Sequence, residues 1–279
     1  MSGFDCQSAC GFTRKNGLSI IIKKLINTIN IQAFKGVYFE DTLKPILAKY
    51  LKYSGMYIGH IKVEDTVVLN KFTYSTINEI YRLRLDTTMF FKKWIQILKS
   101  LNVDSKIGFH RQYNTRDSMM AENILWHINN EHKSEKIILW AATYHIGYGA
   151  YNRDTSIRIM GFFLRRELKD SYSAVGFTSH SGTFGMSKLL RGKVRKPKED
   201  CLEFILHAKA PNSEGDIICN LKDTSNINFL LKNKICKSSI VGHYYDIFSP
   251  LNPMVDIVIM IKQMKPPNHI RGRFHYKYH

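Results

Sequence analysis

The sequence predicts an α/β fold, a largely parallel sheet flanked by helices, with a mainly helical N-terminal third; three features predict it. Apolar residues recur at helical spacing through the first hundred positions, where no good strand pattern occurs. Beyond them, short apolar runs such as Lys136–Ala141 (KIILWA) and Val255–Ile261 (VDIVIMI) have the length and density of strands buried on both faces. Helical segments separate these runs, and a strand–helix–strand succession implies crossover connections within a parallel sheet. The expected division is a mainly helical region over 1–104 and an α/β core over 105–279.

In chain order, Leu18, Ile21, Ile22, Leu25, Ile26 and Ile29 form the stripe of an amphipathic helix. A second helix is expected over Asp41–Tyr53, with Pro45 in its first turn, where a missing backbone N–H costs nothing. Thr76–Leu101 reads as two helices broken near Thr87 and Thr88. Asp117–Asn130 follows as a helix with Met120, Ile124, Leu125 and Ile128 facing inward, and KIILWA as a strand. Thr155–Leu168 is then a helix, Tyr172–Thr178 and Glu203–Ala208 are strands, Asn226–Lys234 is a helix and Val255–Ile261 the last strand.

Composition bounds the function classes. At 279 residues with 44% hydrophobic side chains, the chain can bury a full core without disulfides or a structural metal. No apolar run approaches the roughly 20 residues of a membrane span, so no membrane partner is expected. The 41 Lys and Arg against 23 Asp and Glu give +18, but the excess is spread along the chain. Only Lys188–Lys198 (KLLRGKVRKPK) concentrates it, and a solvated loop is the plainer reading of that run. Without a helix-turn-helix, zinc-finger or aromatic nucleic-acid signature, nucleic acid is not expected as a partner. Cys6, Cys10, Cys201, Cys219 and Cys236 are odd in number and lack CxxC spacing, which favours reduced thiols. With no secretory h-region near Asp5, the expected compartment is the cytoplasm.

Ligands of open α/β sheets collect at the carboxyl ends of strands. Two loops satisfy that description: Ala142–Ala150 after KIILWA, carrying His145, and Ser179–Phe184 (SHSGTF) after Tyr172–Thr178, carrying His180 and Ser181. If the strands are neighbours, both histidines share one edge. Histidine serves as a general base, a proton shuttle or a metal ligand near neutral pH. HExxH and HxH are absent, so no metal is expected. Ser181 lacks a GxSxG elbow, and no GxGxxG or Walker loop calls for a nucleotide, so no cofactor is expected. Asp117 suits the cap of its own helix, and Arg116 beside it could bind a carboxylate or orient a catalytic acid.

Together these residues carry a resemblance. Arg116-Asp117-Ser118-Met119-Met120-Ala121-Glu122-Asn123, then Ile137–Ala141 and His145-Ile146-Gly147, resemble the RDxxMAEN helix and the WAHNxH strand and loop of the erythromycin esterase family. Met160-Gly161, Leu164-Arg165 to Tyr172, Val175-Gly176-Phe177, Gly182-Thr183-Phe184, Ile240-Val241-Gly242 and Val255–Ile259 resemble its following elements. The resemblance covers about residues 105 to 267.

It implies a metal-independent hydrolase that opens macrolide lactones by activating water with histidine and glutamate, with the associated theme of antibiotic resistance. Carried over by position, the second histidine of WAHNxH is His145, whereas the first falls on Ala142 and the asparagine on Thr143. The family's N-terminal GExTHG-like motif has no counterpart in residues 1–104, and Gly59-His60 does not supply it.

Three readings follow. One is a hydrolase of an ester or lactone, with weak or altered macrolide hydrolysis, using His145 as the catalytic group and Arg116 and His180 at the substrate. A second is a catalytically degenerate or truncated relative acting as a binding or scaffold protein. The third is a basic module docking through Lys188–Lys198. Glu40, Glu64 and Glu79 are the helical-region carboxylates that could stand in for a lost base.

Overall fold

In the computed structural model the described residues are 17–53, 62–110, 113–148, 158–185, 191–209, 215–226, 228, 237–238, 245–246, 248–249 and 252–265. They fall into two compact units, Met1–Trp140 with Ile157–Glu167, and Ala141–Ser156 with Leu168–His279. The described residues are mainly helical, and no described helix is long and apolar enough to cross a membrane.

The first unit contains α1 (Gly17–Thr28), α2 (Lys44–Tyr53), α3 (Val63–Arg82), α4 (Met89–His110) and α5 (Tyr113–Asn130). The stripe foreseen on α1 is its buried face: Ile22, Leu25 and Ile26 are fully buried, while Lys23 and Lys24 remain in solvent. They join Leu43 and Leu47, Leu69 and Phe72, and Leu98 and Leu101 in one core. Phe34 meets Phe72 edge to face at 5.3 Å, a geometry favoured by the ring quadrupoles. The break near Thr87 and Thr88 is present. Arg84 turns left-handed at φ 54°, and the Thr88 hydroxyl accepts the Phe91 amide as an N-cap of α4.

Helix α5 starts four residues before Asp117, so Asp117 does not cap its own helix. Its buried carboxylate instead accepts the amide of Met160, the first residue of α7 (Met160–Leu168), at 3.2 Å. Capping is the role, but of a different helix. Residues 155–157 of the helix expected over Thr155–Leu168 lie outside the described residues, and Arg158 and Ile159 precede α7. Asn123 is likewise structural: its side-chain oxygen accepts hydrogen bonds from Gln96 and Ser100 in the buried seam with α4.

The second unit contains α6 (Thr143–Ile146), β1 (Val175–Gly185), β2 (Arg191–Lys193), α8 (Leu202–Lys209), β3 (Ile217–Asn220) and β8 (Ile257–Met264). Between β3 and β8 lie two short antiparallel pairs, β4 (Lys237–Ser238) with β5 (Tyr245–Asp246), and β6 (Phe248–Ser249) with β7 (Asn252–Pro253). The sheet order is β2-β1-β8-β3. Only β1 and β8 run parallel, from Val175↔Ile257 to Gly182↔Met264, while β2 and β3 are antiparallel to their neighbours. The sheet is therefore mixed rather than largely parallel, because its outer strands return along the strands they flank.

Three expected elements differ. Lys136–Ala141 joins no ladder, and Ile138 and Trp140 are 92% and 79% exposed. An apolar run becomes a strand only where a partner edge pairs with it, and the observed sheet takes its strands from elsewhere. Glu203–Ala208 is helix α8, with Leu202 and Leu206 buried one turn apart. Short apolar runs do not distinguish a strand from a buried helical turn. The expected SHSGTF loop is the second half of β1, held by β8 up to Gly182 and by β2 from Thr183.

The run Lys188–Lys198 is only partly a solvated loop. Arg191–Lys193 forms β2, and the Val194 amide donates to the Gly182 carbonyl at 2.9 Å. Lys188, Leu189 and Leu190 fall outside the described residues, as do Cys6, Cys10, Cys236, Gly59-His60, Ile240-Val241-Gly242 and most of the helix expected over Asn226–Lys234.

Gly182 is fixed by geometry. It has φ +111°, and a Cβ there would lie 2.0 Å from the Met264 carbonyl oxygen. Gly182→Ala must force β1 and β8 apart, and we expect a stability loss of about 1–3 kcal/mol, the usual range for strained backbone. Urea unfolding of the purified variant reads it directly.

Candidate active site

His145 sits on α6, a single helical turn whose N-cap is Ala142. The His145 amide donates to the Ala142 carbonyl at 2.8 Å, and the Gly147 amide to Thr143 at 3.1 Å. The imidazole is half-buried and meets the Tyr144 ring edge to face at 5.2 Å. Four residues cannot hold a conformation by helix energetics alone, so the turn needs external ties.

Those ties run to the beginnings of β1 and β8. The Tyr172 hydroxyl donates to the Ile146 carbonyl at 2.7 Å, and the Tyr148 amide to Met254 at 2.8 Å. The Tyr148 hydroxyl donates to the Asp256 carboxylate, which also accepts the Ala174 amide at 2.8 Å. Lys222 approaches the other Asp256 oxygen at 3.3 Å and balances its charge. Asp256 is 4% exposed. Burial, and then the Asp256 charge, push the Tyr172 phenol well above its usual range, so Tyr172 acts as a hydrogen-bond donor throughout the working pH range.

His180 occupies a different part of the sheet. It lies five residues past Val175 on β1, about 16 Å along the strand at 3.3 Å per residue, whereas the His145 turn is tied to the strand's start. The structure does not bring the two histidines to one edge, because KIILWA contributes no neighbouring strand and SHSGTF no loop.

The His180 ring stacks on His207 of α8, with centroids 3.8 Å apart and 22° between planes. One turn before His207, the fully buried Glu203 accepts the hydroxyls of Thr178 and Ser238, each at 2.5 Å. Burial holds the His180 pKa below its ordinary value. His207, Lys196 and Lys262 reinforce that effect, and Glu203 opposes it. Reading Glu203–Ala208 as a strand hid this cluster, although Glu203 and His207 have the i, i+4 spacing of one helical face.

Arg116 lies half-buried on α5 in the first unit. Two of the proposed substitute carboxylates in that unit are engaged in ion pairs. Glu40 bridges Lys23 at 2.6 Å and Lys44 at 2.7 Å, and their hydrogen bonds bring its pKa down to about 2. Glu79 holds Arg82 through both carboxylate oxygens, which lowers its pKa. In the second unit, burial raises the thiol pKa values of Cys201 and Cys219, which keeps both protonated.

The erythromycin esterase sequence profile matches residues 86–263, well over half of the chain. The chain belongs to the erythromycin esterase family. An erythromycin esterase type II of Escherichia coli is 32% identical over 77 residues, a stretch that spans 27% of this chain and only 18% of that protein. Among solved structures, a Bacillus cereus protein superposes with a TM-score of 0.68 at 14% identity, over 97% of this chain and 67% of that one. A mutant erythromycin esterase in its open conformation gives 0.55 at 14% identity, over 96% of this chain and 69% of that chain. A succinoglycan biosynthesis protein gives 0.53 at 16% identity, over 89% and 62%. At these identities the structures are alike in fold alone.

Within the family segment, Asp117 and Asn123 of the RDxxMAEN-like stretch are buried structural groups. Sequence reasoning missed Tyr148, Tyr172 and Asp256. The available signal was a carboxylate inside the otherwise apolar VDIVIMI run, since a buried charge demands partners.

The depressed His180 pKa sets a sign for pH dependence. The unfolded chain takes up the proton near the ordinary value of about 6.5, the folded chain only at lower pH. The stability from a neutral His180 is therefore complete above about pH 6.5 and is lost as pH falls through the folded-state value. Urea midpoints should fall on acidification below about pH 6.5, and His180→Gln should flatten that part of the profile.

Proposed function

We propose that this chain is a hydrolase of an ester or lactone, in which His145 assists the attack of water on the carbonyl carbon. Two observations support the reading: membership of the erythromycin esterase family, and the resemblance of the His145 segment to the family's WAHNxH loop, carried on a turn tied to Tyr172 and, through Tyr148, to Asp256. The second carries it, because a general base works only from a segment that is held in place.

The unprotonated imidazole takes a proton from water as the oxygen bonds to the carbonyl carbon. The carbonyl electrons move onto its oxygen, and the resulting oxyanion needs a hydrogen-bond donor. Collapse breaks the bond to the alkoxy oxygen, which receives the proton from His145. The products are an acid and an alcohol, or a hydroxy acid from a lactone, with one water consumed. In this proposal residues 105–279 carry the esterase-like segment, and His180 contacts substrate only where the substrate extends along β1.

Ala142 and Thr143 replace the other histidine and the asparagine of the family pattern, so macrolide turnover is expected to be weak or directed to another ester. Purified protein should be incubated with erythromycin and with a panel of simple esters and lactones, and gain of one water followed by mass spectrometry. Hydrolysis that falls by roughly 10²–10⁴-fold in His145→Ala agrees with the proposal. Hydrolysis unchanged in that variant, or none on any ester or lactone tested, contradicts it.

A further inference from the structure

The C-terminal end of α5 brings together His127, Glu131 and His132, whose ligand atoms all lie within 4.8 Å of one another. We propose that these three side chains form a binding site for a divalent transition metal of the zinc type, in the first unit and independent of the hydrolase reading.

The backbone builds this cluster. His127 lies in the last turn of α5, and Glu131, one turn further on, follows the final residue of that helix. The amides of Glu131 and His132 both donate to the His127 carbonyl at 2.9 Å, so the chain folds back and sets His132 beside His127. The two imidazole centroids are 6.4 Å apart. His127 Nδ1 and Glu131 Oε2 are in contact at 2.7 Å.

Two imidazoles and one carboxylate are a donor set for Zn²⁺ and its neighbours, with Zn–N and Zn–O distances near 2.0–2.2 Å. Tetrahedral ligands at those distances are about 3.3 Å apart. The His127–Glu131 contact must open by about 0.6 Å and the widest pair close by about 1.5 Å. Half-buried side chains at a helix end can make both movements by rotation.

Two further observations favour a cation here. The partial negative charge of a helix C-terminus lies at this position. Glu135 Oε2 lies 3.2 Å from His132 Nδ1, the outer-shell arrangement that orients a metal-ligating imidazole through its other nitrogen. The Lys93 ammonium, 2.7 Å from Glu131 Oε1, is the competing cation. HExxH and HxH do not describe this spacing, and the sequence expectation of no metal rested on those two patterns.

The test uses the full chain, stripped with a chelator and titrated with Zn²⁺ by calorimetry and with Co²⁺ by visible absorption. One equivalent is expected to bind, with a Co²⁺ spectrum of low coordination number. His127→Ala and His132→Ala should each weaken binding beyond the roughly 10–100-fold typical of losing an outer-shell partner, and Glu135→Ala should fall within that range. Lys93→Met should tighten it by removing the competitor. His207→Ala, in the second unit, should bind as wild type. The proposal is overturned by no saturable uptake in the wild type, or by unchanged uptake in the doubly substituted His127→Ala, His132→Ala chain with wild-type circular dichroism.

Discussion

A buried carboxylate at the start of β8 is the constraint on which the second unit depends. Asp256 accepts the Tyr148 hydroxyl and the Ala174 amide and pairs with Lys222, so one side chain links the segment after α6, the entry to β1 and the turn after β3. Its backbone continues the same junction: its amide donates to Ala174 at 2.9 Å and its carbonyl accepts Leu221 at 2.7 Å. Burying a carboxylate is costly unless its lone pairs are met, and here the partners that meet them arrive from three distant parts of the sequence. The cost becomes a constraint, because separating these segments would leave the carboxylate without the partners that meet it.

The histidine that matters most to the proposed chemistry inherits its position from this junction. α6 is too short to be stable alone, and its C-terminal end is tied to Tyr172, whose phenol is kept protonated by burial and by Asp256. A residue on such a turn is positioned by hydrogen bonds rather than by helix or strand. The Glu203, His180 and His207 group sits further along the sheet, where Glu203 Oε1 and the stacked His180 and His207 rings join β1 to α8.

Much of the first unit was legible in the sequence, because the signals there are local. The stripe on α1 and the break at Thr88 each follow from spacing or from the chemistry of one residue. The second unit was less legible because its structure is decided by pairing. KIILWA and EFILHA look alike as short apolar runs, yet one joins no ladder and the other is a helix with a buried glutamate. VDIVIMI was legible as a strand, and its one acidic residue marked the junction. The ties that hold the His145 turn were not legible, because those through Tyr148 and Tyr172 depend on contacts across 108 and 26 residues of sequence.

Hydrogen exchange followed by mass spectrometry, comparing wild type with Asp256→Asn, tests this account most directly. It predicts that amides from His145 to Tyr148 and at Ala174 lose protection in the variant while those of α1, α3 and α4 are unchanged. Equal protection of the His145 segment in both proteins would contradict it.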